Sequence, residues 1–455
     1  MKRKGTKRMK KTIYITSLVL FAILAGCSPK VDDAFENSPI ERLNINNAEK
    51  RQLLLSAPNG WIVQYFPTTG SVASDSASHR GYSFIMDFNT DNSVTIGSPV
   101  KNVYKTATSV WDVINDNSTV LTFPTFNYIF HYYSNPDPDL NLGGDGVGLG
   151  GDYEFLLLDF NASTGCQVLK GKKNSTYNYM YPMPVGKSWP QYFKDVDAMD
   201  TLLFGSLDKT TPIDMFIGNV HLSLYNGWRH EFRAFTYGAD TLGGGAYYGF
   251  LTTPDGIRIH DDVILEHAIG HPLFNLNSTK DRLVADNNPS VYLTVDPLTA
   301  FLSRLNAKKA WVADAAQFPA DVQTLMSNIC AGVLAKLKSS KVEINSFSFA
   351  KKDDSKLTIT VQWAATNKSS KTTTYKDAFT YDYTLSNGQL GLTLDASSVS
   401  RTNLYKYSGT AQADVTTLMQ VFDGSFNMTL VQGFAPAKGI KLTNASDSSK
   451  SFVVK

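Results

Sequence analysis

The chain has 455 residues, with 43 Lys and Arg against 41 Asp and Glu, for a formal charge of +2. A length of this order holds two or three domains. Tyr (22) and Phe (26) are abundant beside plentiful Thr, Ser, Asn and Gly, while charged residues make up only 18%, which is the composition of sheet proteins with many turns.

The first eleven residues hold seven basic side chains and no acidic one, and an apolar run from Ile13 to Ala25 follows, ending in Leu24-Ala25-Gly26-Cys27. A positive start, a short apolar stretch and small residues before a cut site are the layout of a signal peptide. The run is too short to span a bilayer, which takes about 20 apolar residues. The four residues resemble the bacterial lipobox, and the resemblance implies cleavage before Cys27 and lipidation of Cys27. Several acyl chains anchor a protein stably where one binds only marginally. Ser28 in place of Asp is similar to lipoproteins sent to the outer membrane. The acidic stretch Asp32-Asp33-Ala34-Phe35-Glu36 resembles the surface-export signal of Bacteroidota lipoproteins, with a plain solvated tether as the alternative. Removing residues 1–26 changes the formal charge from +2 to −5, which argues against a nucleic-acid partner held by a basic surface.

Residues 27–37 read as the lipidated tether. Ser38-Pro39-Ile40-Glu41 is a capping box with Pro at the first helical position and predicts a helix to about Ser56, stopped by Ala57-Pro58-Asn59-Gly60. Trp61 to Phe66 reads as a strand. The polar loop from Thr68 to Gly81 contains Asp75-Ser76-Ala77, which resembles an O-glycosylation acceptor of Bacteroidota envelope proteins. Tyr82 to Phe88 and Val94 to Ile96 form a predicted hairpin around Asn89–Ser93. Val120 to Phe123 and Tyr128 to Tyr133 read as strands, followed by a Gly-rich stretch from Asn135 to Asp152. Tyr153 to Phe160 pairs with Cys166 to Lys170, and Thr176 to Met183 is extended and aromatic.

Trp189 to Phe204 reads as a helix. Strands resume near Met215, Asn226-Gly227 marks a tight hairpin turn, and Tyr247 to Leu251 pairs with Ile257 to His260. Residues 261–315 alternate too weakly to assign. Val322, Leu325, Ile329, Val333 and Leu337 place a helix over residues 319–337. Strands follow at residues 342–349, 356–363, 378–385 and 390–394, then a helix near residues 412–422 and a strand at residues 426–431. The expected fold is α+β and predominantly β: antiparallel sheets with a few packed helices. Its expected divisions are a signal peptide (1–26), the tether, an N-terminal β-rich unit (38–185), a mixed central region (186–315) and a C-terminal β-rich unit (316–455).

No motif specifies a reaction, so no catalytic residue, metal ligand or cofactor is expected. His267 and His271 stand four apart with His260 nearby, but a zincin needs Glu after the first His, and Ala268 stands there before Gly270 and Pro272. Turn or interface histidines are the reading. Asp137, Asp139 and Asn141 alternate as in a calcium loop, but Leu142 and Gly148 stand where Gly and a bidentate Glu are required. The glycines from Gly143 to Gly151 lack the Gly-Lys-Ser/Thr and the helix start of a phosphate cradle. Cys166 and Cys330 read as two separate buried thiols, with pairing in an oxidising envelope as the alternative. Tyr177, Tyr179 and Tyr181 put three rings on one strand face; core packing is favoured, and a ligand-binding row is the alternative. Trp189, Tyr192, Trp228, Tyr247 and Tyr248 carry the same two readings.

Several phrases together bear a family resemblance: Ser56-Ala-Pro-Asn-Gly-Trp61, Gly81-Tyr-Ser-Phe-Ile-Met-Asp-Phe88, Leu121-Thr-Phe123 with Asn127 and His131-Tyr-Tyr-Ser134, Gly151-Asp-Tyr-Glu-Phe155, Leu169-Lys-Gly-Lys-Lys173, and Tyr247-Tyr-Gly-Phe250 with Pro254-Asp-Gly-Ile257. In this order after a lipobox they resemble the Bacteroidota lipoproteins grouped as domain-of-unknown-function family 4302. The resemblance implies an envelope location, genes often encoded beside outer-membrane nutrient importers, and no established catalytic residue. It leaves Asp152, Glu154, Lys172 and Lys173 as either a folding hairpin or a polar site. The expectation is an outer-membrane or cell-surface lipoprotein, not an enzyme, that binds a glycan, peptide or importer component. A surface hydrolase assembled from distant Asp, Glu or His is the alternative.

Overall fold

The computed structural model describes residues 37–67, 81–100, 103–135, 137, 150–207, 211–226, 231–236, 247–260, 272–431 and 433–455. Cys27, the Asp75-Ser76-Ala77 triplet, most of the Gly-rich stretch, Trp228, His267 and His271 lie outside these residues. Three antiparallel sheets dominate, with helices packed on them.

Helix α1 (Pro39–Leu55) starts as its sequence dictates. The Glu41 amide donates to Ser38 Oγ (3.3 Å), and the Ser38 amide donates to Glu41 Oε2 (2.9 Å). The nine strands that follow are β1 (Trp61–Tyr65), β2 (Tyr82–Phe88), β3 (Ser93–Val100), β4 (Val103–Val110), β5 (Asp112–Asn115), β6 (Thr119–Thr122), β7 (Glu154–Asn161), β8 (Cys166–Gly171) and β9 (Tyr177–Pro182). Their order in the sheet is β4-β3-β2-β1-β9-β8-β7-β6-β5. The two end strands are therefore joined in sequence by Trp111 alone, so the sheet rolls around its core. That core is aromatic: Trp61, Tyr65, Phe84, Phe88, Trp111, Phe123, Phe130 and Phe155 are all buried in it. α1 packs along β2, β5 and β6. It is tied down by Lys50, which donates to the Leu158 carbonyl (2.6 Å) and Gln167 Oε1 (2.7 Å), and by Arg51 on Asp112 (2.8 Å) and above the Trp111 ring.

The expected strand at Tyr128–Tyr133 is instead a turn followed by one 3-10 turn at His131–Tyr133. The cause is Asn127, whose side-chain oxygen accepts the amides of Ile129 (3.0 Å) and Phe130 (3.2 Å) and curls the backbone away from extension.

The mixed central region is built around a barrel. After α2 (Trp189–Phe204), eight strands close into a barrel: β10 (Pro212–Ile217), β11 (Val220–Asn226), β12 (Glu231–Thr236), β13 (Tyr247–Thr253), β14 (Gly256–His260), β15 (Leu273–Leu276), β16 (Arg282–Ala285) and β17 (Val291–Thr294), with β17 pairing back onto β10. β11 and β12 form the hairpin expected around Asn226, although its turn lies outside the described residues. Ile213, Met215, Leu222, Leu224, Phe232, Phe250, Ile257, Phe274, Leu283 and Leu293 are all fully buried. Eight strands enclose a space that side chains of this size fill. α2 bridges two bodies: Tyr192 and Phe193 cover the outer face of the first sheet, while Phe204 meets Phe250 of the barrel.

α3 (Pro297–Asn306) leads to the third sheet: β18 (Trp311–Asp314), β19 (Lys341–Lys351), β20 (Lys356–Thr366), β21 (Thr372–Ser386), β22 (Gln389–Leu394), β23 (Gly424–Leu430), β24 (Ile440–Asn444) and β25 (Ser451–Val454), paired in chain order. The expected division near residue 316 thus falls after a strand of this sheet. Val312 and Lys455 exchange backbone hydrogen bonds (both 2.9 Å), bringing the sheet's two ends together. α4 (Ala320–Leu337) buries Val322, Ile329 and Val333 of the expected stripe, with Met326 buried in place of the expected Leu325 and with Leu325 and Leu337 half-buried, and packs with α5 (Ala396–Val399), α6 (Asn403–Tyr407) and α7 (Gln412–Gln420). One apolar cluster runs without a break from the barrel into this sheet.

Candidate functional site

Tyr177, Tyr179 and Tyr181 do share one face of β9, the face opposite the first sheet's core. At the last two positions the barrel covers that face. Arg258, on β14, is 2% exposed; its Nε donates to Gln64 Oε1 (2.6 Å), its Nη2 donates to the Tyr181 hydroxyl (2.5 Å), and its guanidinium lies 3.9 Å from the Tyr179 ring centroid. Tyr179 is 4% exposed, and burial pushes the Tyr181 hydroxyl up. Tyr177 lies outside this contact, with the Lys170 ammonium above its ring. Two residues on, His260 is buried and stacked on Phe66 (4.4 Å). The row is thus an inter-body seam at Tyr179 and Tyr181. Cys166 is a buried free thiol beside Tyr181, and Cys330, in α4, is free and half-buried.

The phrases around Asp152 and Lys172 form a clasped hairpin. Asp152 is buried and accepts the amides of Lys173 (2.8 Å) and Asn174 (3.1 Å), against a burial that pushes its carboxyl up. Gly171 packs so closely on that carboxylate that a side chain there has no room. Lys172 bridges Asp116 and Glu154 at the surface. In the third sheet, the buried Asp377 accepts from Trp363 Nε1 (2.7 Å) and the amides of Asn403 (2.8 Å) and Leu404 (2.9 Å), fixing the start of α6.

On the barrel's outer wall, Asp214 accepts from both His221 Nε2 (2.9 Å) and Ser223 Oγ (3.3 Å). The serine hydroxyl is spent on the carboxylate and not on the imidazole, so this trio is not arranged as nucleophile and base. Among the described residues, no group of three or more His, Cys, Asp or Glu is placed to hold a metal ion, and no helix is long and apolar enough to cross a membrane.

The turn between β6 and β7 is different in kind. Its inward side chains Ile129, Phe130 and Tyr133 plug the rolled sheet. Its outward ones clip onto the edge strand β4: Thr125 Oγ1 accepts the Val110 amide (2.8 Å), Asn127 Nδ2 donates to the Ala107 carbonyl (3.2 Å), and the Tyr128 hydroxyl donates to the Thr106 carbonyl (3.1 Å). His131 Nδ1 accepts the Asn127 amide (3.0 Å), and burial holds the imidazole below its ordinary value, so it is neutral. The rings of Phe126 and Tyr153 both pack against this ring, at 5.3 and 5.6 Å. Both remain in solvent: Phe126 is 65% exposed, and Tyr128 and Tyr153 are each 48% exposed. Reading the turn as a strand hid this ridge. The available signal was charge: residues 117–135 contain no Asp, Glu, Lys or Arg, which is unusual for a stretch with so much exposed surface.

Fold and site together define a three-body antiparallel β protein whose ionisable clusters brace the structure and whose one fixed aromatic ridge, among the described residues, reaches solvent from the first body. The model of the family described as domain of unknown function (DUF4302) matches residues 31–267, more than half of the chain, and the chain belongs to that family. The match covers the first sheet, the ridge and the Arg258 seam, and ends inside the barrel. No curated protein matches the chain. Among solved structures, the chain is similar to P47 of Clostridium botulinum E1, at 11% identity over 87% of this chain and 93% of that one, with a TM-score of 0.17. It is also similar to P47 from Clostridium botulinum A2, at 8% identity over 90% and 86%, with a TM-score of 0.12. Neither superposition is close enough to speak to fold or function.

Proposed function

We propose that this is an exported lipoprotein, anchored through Cys27 in the outer membrane, that binds its ligand without transforming it and serves nutrient capture beside an outer-membrane importer. The observation that carries the binding reading is the ridge of Phe126, Tyr128 and Tyr153, held in water by a turn that Thr125, Asn127 and Tyr128 tie to β4. Exposed apolar clusters of this kind mark interaction sites. The anchor rests on Leu24-Ala25-Gly26-Cys27 and the apolar run before it. A glycan or a peptide is the ligand class in view, and the acidic mature chain disfavours nucleic acid.

Growth with a clickable fatty acid tests the anchor. The wild-type chain should be labelled and sediment with outer membranes, and Cys27→Ala should be unlabelled and soluble. An unlabelled wild-type chain refutes the anchor, and turnover of offered polysaccharides or peptides by the purified protein refutes the non-catalytic reading.

A further inference from the structure

We infer that the ridge of Phe126, Tyr128 and Tyr153 is a stacking surface for a neutral glycan chain. This deepens the binding reading above and rests on it. The geometry is that of a prepared surface. Asn127 fixes the turn from three sides, through the amides of Ile129 and Phe130, the Ala107 carbonyl and Ser109 Oγ. The Tyr128 hydroxyl is tied to β4. The turn's backbone and the Tyr128 ring are therefore fixed before a ligand arrives, which is how aromatic binding surfaces gain affinity.

Charge selects the occupant. The turn carries no Asp, Glu, Lys or Arg from residue 117 to residue 135, and His131 is neutral. The charges beside Tyr153 are already engaged: Glu154 pairs with Lys172, which also holds Asp116, and Asp152 accepts the Lys173 and Asn174 amides. Single-stranded nucleic acid needs a basic groove beside its stacking rings, and membrane-surface segments pair aromatic residues with Lys and Arg. Neither complement is present in this stretch. Two of the rings carry hydroxyls of their own, at Tyr128 and Tyr153, and the exposed Thr125 precedes Phe126 in the chain. A pyranose offers an apolar C–H face to a ring and hydroxyls at its edge, and matches both features. An anionic sugar would find no cation in the turn.

The test uses the lipidated protein purified from membranes in detergent, run in native gels containing soluble β-glucan, mannan, xylan or, as the charged control, polygalacturonate. Retardation by at least one neutral polysaccharide is expected. Phe126→Ala and Tyr153→Ala should each weaken it about tenfold, the loss of roughly one good contact, while Phe126→Trp retains it. Because the rings are exposed, the variants should melt with the wild type; a variant that melts early is replaced by Tyr153→Ser or Phe126→Ser. No retardation by any neutral polysaccharide, retardation by polygalacturonate alone, or equal retardation of wild type and folded variants overturns the proposal. Fatty-acid labelling of Cys27 is read separately, so loss of glycan binding leaves the anchored-protein reading standing. Release of sugar from a bound polysaccharide removes the non-catalytic reading and leaves the ridge.

Discussion

The guanidinium of Arg258 lies 3.9 Å from the centroid of the Tyr179 ring, across the boundary between the barrel and the rolled N-terminal sheet. A buried cation is costly unless its donors are used, and here they reach Gln64 and Tyr181 on neighbouring strands β1 and β9 of the same face. A backbone bond from Gly81 to the Phe250 carbonyl (3.2 Å) and the stack of His260 on Phe66 extend the seam. The first sheet and the barrel are consequently coupled by buried polar contacts that cross their boundary.

Arg258→Met keeps the aliphatic volume, leaves the buried Gln64 oxygen without its Arg258 donor and takes one partner from the Tyr181 hydroxyl. Leaving such groups unpaired costs about 2 kcal/mol, and urea denaturation should show that loss. Intrinsic fluorescence should also lose its single transition as the two bodies separate. An unchanged midpoint would mean that the seam contributes nothing.

Gly332→Ala should destabilise the protein, against helix propensity, which by itself favours Ala by about 1 kcal/mol. Gly332 sits mid-way along α4, and a Cβ there would collide with the Ser408 backbone carbonyl, which cannot swing aside as a side chain would. α4 would have to lift from α6 and its Val333 and Ile329 from the core. A thermal melt of the variant several degrees below wild type is expected; a higher melting point would refute the close approach.

His131 gives the ridge a pH dependence. Burial lowers its folded value below the ordinary 6.5. The unfolded chain therefore takes up the proton first, and stability falls as pH drops. The His131 contribution is complete above about pH 6.5 and is lost as pH falls toward the lowered folded value. Melting temperature should decline across that window more steeply in wild type than in His131→Gln. Identical slopes would show that the ring does not titrate against the fold.

Parts of this protein are legible by eye. The capping box at Ser38, the 3.6-residue stripe of α4 and the alternation of β2 and β9 are local signals, because each depends only on which side chains share a face. The proposed export pattern ending at Cys27 is also a local reading, since a signal peptide is read as a linear string. The sequence alone could place Tyr177, Tyr179 and Tyr181 on one face but not name what covers them. Periodicity reports that a face is buried and is silent on the partner, which here is Arg258, 77 residues beyond Tyr181. The same limit hid the barrel, whose short strands β15 to β17 have four residues each and are stabilised by closure rather than by propensity. It also hid the ridge, because residues 128–133 have the composition of a strand and only the Asn127 bonds, together with the plug that Phe130 and Tyr133 form in the rolled sheet, turn them into something else. Tertiary structure decided these points for one physical reason: the energies that select them are long-range contacts, which a window of neighbouring residues does not contain.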